Sequence, residues 1–438
     1  MKLIGGIAVL GVAVALAGCE KEVRLPGERL DPRAVLTDGA GVPASATEAP
    51  RAFAAPRTVA NADWPQRGGA ATHALTNPAI GAGTSLVWQA PIGQGDSRRY
   101  RIAAEPVVGA GRVFTMDSRA LLTATSTAGA PLWQTDIAAP GDRDDDATGA
   151  GLAYDGGKIF ATTGFSQLVA LDAASGKVLW RQDFDAGVGG APTVSNGIVY
   201  VVARDASAWA INAADGKVLW QFTGTPAQAG MSGVSAPAVN DRLVVFPFAG
   251  GDMVATLKKQ GLTLWQAKLA GTRLGRGYTE VSDLTGDPVI VGDTLYAGSS
   301  AGKLAAFEVS SGQQIWSADQ GANAPAQVAG GSVFLVSDQA QLIRLDAATG
   351  AQIWAVDLPY YVKEKVKKQQ EITVNRGPLL AGGRLFVASS DGVLRIFDPA
   401  SGAKLGEAAI PGGAATDPVV AGSTLYIVNR DGKLLAYR

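Results

Sequence analysis

Short apolar runs, each broken by Gly, Asn or Asp, recur along the chain from Trp64 to its last residue. Half of the recurring unit pairs two runs across a tight turn. The clearest copies are PVVGAGRVF from Pro106, PTVSNGIVY from Pro192, PVIVGDTLY from Pro288, PLLAGGRLF from Pro378 and PVVAGSTLY from Pro418. Looser copies are GLAYDGGKIF from Gly151, PAVNDRLVVF from Pro237 and PAQVAGGSVF from Pro325. Gly, Asn and Asp accept the positive φ that tight hairpins demand, so each copy predicts a β-hairpin. A third run alternates apolar and polar positions, as in KLAAFEV from Lys303 and VLRIFDP from Val393, and predicts a half-buried strand. A fourth follows a turn glycine and ends on tryptophan: AGAPLW from Ala128, SGKVLW from Ser175, DGKVLW from Asp215, QGLTLW from Gln260, SGQQIW from Ser311 and TGAQIW from Thr349. SGAKLG from Ser401 is a degenerate copy, and SLVW from Ser85 an N-terminal outlier.

The anchors at 88, 133, 180, 220, 265, 316, 354 and 406 are spaced about 45 residues apart on average, the length of a four-stranded propeller blade. After Pro418 the chain supplies three strands and stops at Arg438, without its tryptophan strand. SLVWQAP, from Ser85, is a fourth-type strand with no three strands before it. Three C-terminal strands and one N-terminal strand complete an eighth blade and leave no open repeat. The pattern therefore predicts an all-β fold, an eight-bladed β-propeller over residues 61–438 closed by an N-terminal strand joining the C-terminal blade. Seven of the nine tryptophans hold equivalent positions, which predicts packing between blades rather than a cofactor site needed only once.

Composition agrees with this reading. The chain has 438 residues, 47% hydrophobic and 18% charged, which is ample for a large core, and its 56 glycines suit many tight turns. A net charge of -1 leaves no basic footprint for nucleic acid. The single cysteine is Cys19, so the body is free of thiols, as suits an oxidising compartment. Residues 21–60 are rich in Ala, Pro and Thr with little apolar periodicity and predict a flexible tether.

Candidate chemistry is sparse. His73 is the only histidine, in a loop expected to leave it exposed or capping, so neither a His-based zinc site nor an evident catalytic triad is expected. The acidic DRDDD from Asp142 lacks the spacing of a calcium loop, and the pairs Gly250-Gly251 and Gly382-Gly383 fall between strands, not at a strand-to-helix turn. No catalytic, metal-ligating or cofactor-binding residue is expected. One insertion, YYVKEKVKKQQEITVN from Tyr360, predicts a charged helical or extended loop that is solvated or meets lipid headgroups or a partner.

The N-terminus carries Lys2, an apolar run from Leu3 to Leu16, and Leu16-Ala17-Gly18-Cys19, which resembles the lipobox of bacterial lipoproteins. That resemblance implies a signal peptide over 1–18, a lipidated Cys19 and a tether over 19–60. Acyl chains on Cys19 would hold a soluble domain to a membrane. Glu20, where an inner-membrane retention signal has Asp, favours the outer membrane.

The repeat Gly-x-Leu-x-Ala-x-Asp-x-x-x-Gly-x-x-x-Trp resembles that of the pyrroloquinoline-quinone dehydrogenases, which implies an alternative function as a periplasmic quinoprotein-type oxidoreductase. That family has a vicinal cysteine pair over the quinone, and this chain has no cysteine beyond Cys19. Lipobox, tether and a quinoprotein-like propeller without the quinone residues resemble the BamB family of outer-membrane β-barrel assembly lipoproteins. The most specific patches are AGMSGVSAP from Ala229 and YTEVSDLTGDPVIVG from Tyr278. The resemblance implies a non-catalytic scaffold on the periplasmic face of the outer membrane. Its implied partners are the POTRA domains of the barrel-forming subunit and nascent outer-membrane proteins. Met231 matches a leucine of the family's contact pattern and Asp283 its first aspartate. Ser232 stands where the family has arginine, Thr285 where it has a second aspartate, and Ala229 where it has another leucine. Arg273, Arg276, Tyr278 and Glu280, in one of the longest gaps between anchors, are candidate substitute contacts.

Overall fold

The computed structural model describes residues 52–74, 77–138, 149–226, 235–269, 283–363 and 365–438. Among them, thirty-two strands form eight four-stranded antiparallel sheets, and helix is confined to single 3-10 turns. The first strand, β1 (Leu86–Pro91), stands apart from the sheet that follows it. Blade 1 is β2 (Val107–Gly109), β3 (Arg112–Met116), β4 (Leu121–Ser126) and β5 (Pro131–Asp136). Blades 2 to 7 repeat this order over residues 149–183, 193–223, 238–268, 284–318, 327–357 and 375–409. Blade 8 is made of β30 (Val419–Ala421), β31 (Thr424–Val428), β32 (Lys433–Tyr437) and β1, in the sheet order β1-β32-β31-β30. The first and last strands thus share one sheet, the closure expected from the repeat count.

Burial follows from blade-on-blade stacking. In blade 1, β2 is buried throughout and β3 and β4 nearly so, while β5 alternates exposed and half-buried residues, because only the outermost strand borders solvent. The outer strand also carries a repeated bulge. Pairing of β4 with β5 shifts between Ala124 and Thr125, so Leu132 is the extra residue, and the same shift recurs in the third-to-fourth strand pairing of every blade from 2 to 7. β1 makes the equivalent shift at Val87. A bulge re-aims the side chains beside it. Here it leaves aliphatic residues on the outside, among them Leu132, Leu179, Leu219 and Leu405, and turns the adjacent tryptophan towards the next blade.

The destination of that tryptophan is the turn glycine of the following repeat. A Cβ on Gly129, Gly176, Gly216, Gly261, Gly312, Gly350 or Gly402 would come within 3.0 Å of the indole of Trp88, Trp133, Trp180, Trp220, Trp265, Trp316 or Trp354, respectively. All seven glycines have φ between 68° and 90°, so conformation and contact both exclude a side chain. Five of the indoles donate a hydrogen bond to the same turn, as Trp265 Nε1 does to the Val309 carbonyl at 2.8 Å and Trp316 Nε1 to that of Ala347 at 3.0 Å. Polar residues opening the turn complete it. Asp172 accepts from the Ser175 amide and hydroxyl, which holds its carboxyl below the usual range, and Asp398 does the same with Ser401.

Gly406, the one degenerate anchor, lies in the outermost strand of blade 7, and the next blade, blade 8, has as its third and fourth strands the last and first strands of the sequence, which have no connecting turn. The seam is closed instead by Tyr437, whose hydroxyl donates to the Ala409 carbonyl at 2.9 Å.

A strap that includes residues 53–74 and 77–83 covers one end of the propeller. Phe53 packs edge-on against Phe334 and beneath the guanidinium of Arg344, a fully buried residue of blade 6 that also donates to the Ala400 carbonyl of blade 7. Trp64 and Val108 exchange backbone hydrogen bonds at 2.8 Å. The strap then accepts from Tyr154, Val194, Val239 and Ile290 in blades 2 to 5, through Pro65 O, Gln66 Oε1, Ala71 O and Thr72 O. Asn77 donates to Leu380 in blade 7, and Gly422 of blade 8 donates to Asn61. The innermost strands are only two or three residues long in five blades, and the strap satisfies backbone groups that they leave towards the channel. Sequence composition placed Phe53 in the tether and His73 in an exposed or capping loop. His73 is instead 3% exposed, with Nδ1 2.8 Å from the Pro288 carbonyl.

Two glycines with matched φ separate the tryptophan contact from backbone strain. Gly350 has φ 73° and lies under Trp316, whereas Gly197 has φ 74° and open space around it. Gly197→Ala is expected to cost about 1 kcal/mol from left-handed strain alone, and Gly350→Ala about 3 kcal/mol because Trp316 must also move. Chemical denaturation of both variants checks this, and equal losses would contradict the seam.

Candidate functional site: the funnel face

The opposite end of the channel from the strap opens as a funnel of about 460 Å³. Its walls come from residues at or near the start of the innermost strands and from the turn at Val336–Ala340 of blade 6, and its floor is Arg67, held in the tight turn Gln66–Gly69. Gly68 must be glycine there, since at φ 62° any Cβ would strike the His73 backbone.

Three carboxylates from three blades converge on Arg67. Asp287 of blade 5 accepts from Arg67 Nε, Glu105 beside blade 1 lies 2.6 Å from Nη1, and Asp417 beside blade 8 lies 3.9 Å from Nη2. Each acid also has a place in the frame. Asp287 Oδ1 accepts from the Ala236 amide at 2.6 Å, and Asp417 Oδ1 from the Gly377 amide at 2.8 Å. Burial opposes the charge on Arg67, but Asp287, Glu105 and Asp417 together raise its pKa above the ordinary value. Burial pushes the Glu105 carboxyl up to about 8; Arg67 opposes this and Asp417 adds to it. Burial lowers the pKa of His73, and Arg67 adds to that, while Asp287 and the Pro288 carbonyl oppose it.

The repeat pattern does not single out this cluster, although its signal is visible in the sequence. Glu105, Asp287 and Asp417 each immediately precede the proline that opens a hairpin copy, where other copies have Ala191, Ala236, Ala324 or Gly377. Three acids at equivalent positions of a ring must face one another across the channel. Their chemistry is that of a clamp. Arg67 already fills the space among the oxygens, so a hard cation would have to displace a guanidinium, and among the described residues no group of His, Cys, Asp and Glu is set to hold a metal.

Of the candidate partner contacts named from the sequence, the structure describes two. Asp283 is 4% exposed, and its Oδ1 accepts from the Gly250 amide at 3.1 Å, so its carboxylate is engaged inside the blade 4–5 region. Thr285 lines the funnel and donates to the Ala322 carbonyl at 2.7 Å. Cys19, Met231, Ser232, Arg273, Arg276, Tyr278, Glu280 and the acidic stretch 142–146 lie outside the described residues. The flanks of the two family-like patches do meet at the funnel wall, where the Ser235 hydroxyl donates to the Leu284 carbonyl.

The raised Glu105 carboxyl fixes a pH dependence. Between its ordinary pKa of 4.5 and about 8, the folded protein keeps a proton that the unfolded chain releases. The resulting stability is complete below about pH 4.5 and is lost as pH rises towards 8, at up to about 1.4 kcal/mol per pH unit. Glu105→Gln keeps the neutral form at every pH. Its melting temperature relative to the unaltered protein is expected to climb between pH 5 and 8, and parallel profiles would contradict the buried proton.

A family model described as outer membrane protein assembly factor BamB matches residues 118–356 and 345–438. The proteins of that name from Shewanella oneidensis and Yersinia pestis are 26% and 24% identical to this chain, over 79% and 80% of it and 87% and 88% of their own lengths. The crystal structure of BamB from Moraxella catarrhalis superposes with a TM-score of 0.68 at 20% identity, covering 81% of this chain and 99% of that one. A quinohemoprotein alcohol dehydrogenase from Comamonas testosteroni superposes with a TM-score of 0.65 at 14% identity, covering 86% of this chain and 80% of that one, which is a likeness of fold alone. With its matched regions spanning most of the propeller, the chain belongs to the family of the outer membrane protein assembly factor BamB.

Proposed function

We propose that this chain is a non-catalytic scaffold lipoprotein of outer-membrane protein assembly, held to the periplasmic face of the outer membrane through Cys19. The observation that carries the reading is the family match across residues 118–438, in a propeller whose funnel floor is closed by the chain's own Arg67. Arg67 with Glu105, Asp287 and Asp417 supports rigidity: an arginine bridging three blades holds the rim at fixed spacing. A scaffold needs such a rim, because ordering loops at the moment of binding subtracts from affinity.

The docking surface in this reading is the funnel face at blades 4 and 5. Met231 and Ser232 supply one patch; Arg273, Arg276 and Tyr278 supply the other, with partner contact by the POTRA domains of the barrel-forming subunit. The Ser235–Leu284 bond supports treating the patches as one surface. Asp283 and Thr285 enter it as supports, since both are engaged within the propeller.

Affinity purification of the lipidated protein from detergent-solubilised outer membranes tests the reading, with Cys19→Ala at matched expression as control. Recovery of the barrel-forming subunit with the lipidated chain is expected, and recovery of the chain alone would overturn the scaffold reading. Arg276→Ala with Tyr278→Ala is expected to weaken the association at least tenfold, by about 1.4 kcal/mol or more, and unchanged recovery would remove that patch from the interface.

A further inference from the structure

The insertion after blade 6 is an antiparallel excursion whose two arms are paired. The Val362 amide donates to the Glu371 carbonyl at 3.0 Å, Tyr361 bridges Ile372, and the Thr373 amide donates to the Tyr360 carbonyl at 2.9 Å. Its base is fixed, with Asn375 Nδ2 donating to the Pro359 carbonyl and the Val374 amide to Ser390 Oγ. Its tip includes the 3-10 turn Val366–Lys368 and carries Lys363, Lys365, Lys367 and Lys368, none of which is ion-paired among the described residues.

The stem is apolar where a free hairpin ought to be polar. Thr373 turns inward and is buried, whereas Ile372 and Val374, on the other side of the strand, are 55% and 39% exposed, beside Tyr361 at 38% and Val362 at 50%. Ile372 and Val374 also line the funnel, next to Arg376, whose Nε is buried without a hydrogen-bond partner. An apolar strip runs from a cationic tip down to a guanidinium at the funnel wall. Exposed apolar strips rimmed by charge mark interaction surfaces.

We propose that this hairpin and the adjoining funnel wall form a second docking site, for an extended acidic segment of a partner protein. Its carboxylates pair with Lys363, Lys365, Lys367 and Lys368, its apolar side chains cover Tyr361, Val362, Ile372 and Val374, and a further acid reaches Arg376. A protein segment fits better than an anionic membrane. The hairpin projects at the funnel end, whereas Ala54, near the N-terminal limit of the described residues, packs on Gly330 at the opposite, turn end of blade 6. The strip also leads into a concave funnel that a flat bilayer would not fill. The site does not depend on the partner named above, and failure of the membrane purification would leave it intact.

The test uses the full chain and a short labelled peptide in which Asp and Glu alternate with Leu and Val, followed by fluorescence anisotropy. A counterpart peptide with Lys at each acidic position and phosphatidylglycerol vesicles serve as competing probes. The acidic peptide is expected to bind and the basic one not to. Joint substitution of Lys363, Lys365, Lys367 and Lys368 by Gln should weaken binding roughly tenfold, as four solvent-exposed pairs would. Ile372→Ser should weaken it as well, while Lys177→Gln with Lys259→Gln, at the turn end, should not. Matching melting curves would show that every variant is folded. Equal binding of both peptides, or acidic-peptide binding that survives loss of the four lysines, would overturn the proposal. Lysine-dependent binding to the vesicles but not to the peptide would replace it with membrane contact.

Discussion

A tryptophan ring lying flat on a glycine is the contact on which this architecture depends. Blades 1 to 6 each contain both halves of it, a turn glycine that receives the preceding blade and a tryptophan that reaches the next. The bulge beside each tryptophan aims it, and the exposed aliphatic residues on the outer strands are what that aim leaves outside. A sheet with two apolar faces is not stable alone, so a blade can persist only between neighbours, and the ring must close for every blade to be covered on both faces. The first and last strands therefore have to pair. They meet in one blade, and the seam that lacks both tryptophan and turn is held by Tyr437.

Closing the ring leaves an axial channel, and the strap deals with it from one end. Its backbone pairs with the innermost strands, and Arg67 reaches through to the acids that guard the other end. Charge buried this deeply is tolerated because it is paired: one guanidinium faces two acids held in hydrogen bonds and a third, Glu105, that keeps its proton. Removing the arginine alone would leave carboxylates facing each other in a poorly solvated space, so strap and rim are mutually dependent. A funnel with a rigid floor and projecting connections is the form that a binding surface takes in a propeller.

Much of this was legible in the sequence, for reasons that can be named. Blade number, hairpins and closure follow from a strict repeat, because strand alternation and turn chemistry are local and each repeat is an independent witness. Seven tryptophans at equivalent positions revealed a structural role for the same reason. The strap was not legible: its partners are backbone groups of hairpins far away in sequence, so it needs no apolar period, and residues such as Phe53 and His73 read as tether and loop. The acid cluster left a faint trace, an acid before proline in three hairpin copies, which matters only once the ring brings those positions face to face. Asp283 shows the remaining gap, since a family motif marks a position without saying whether its side chain points at a partner or at Gly250.

The account makes the funnel face the working surface and the strap face the structural one. Electron cryo-microscopy of the chain bound to the barrel-forming subunit tests that division most directly. The account predicts partner density over the blade 4–5 rim of the funnel, at the connections that carry Met231 and Arg276, with the strap face uncovered. Density on the strap face, with the funnel open to solvent, would contradict it.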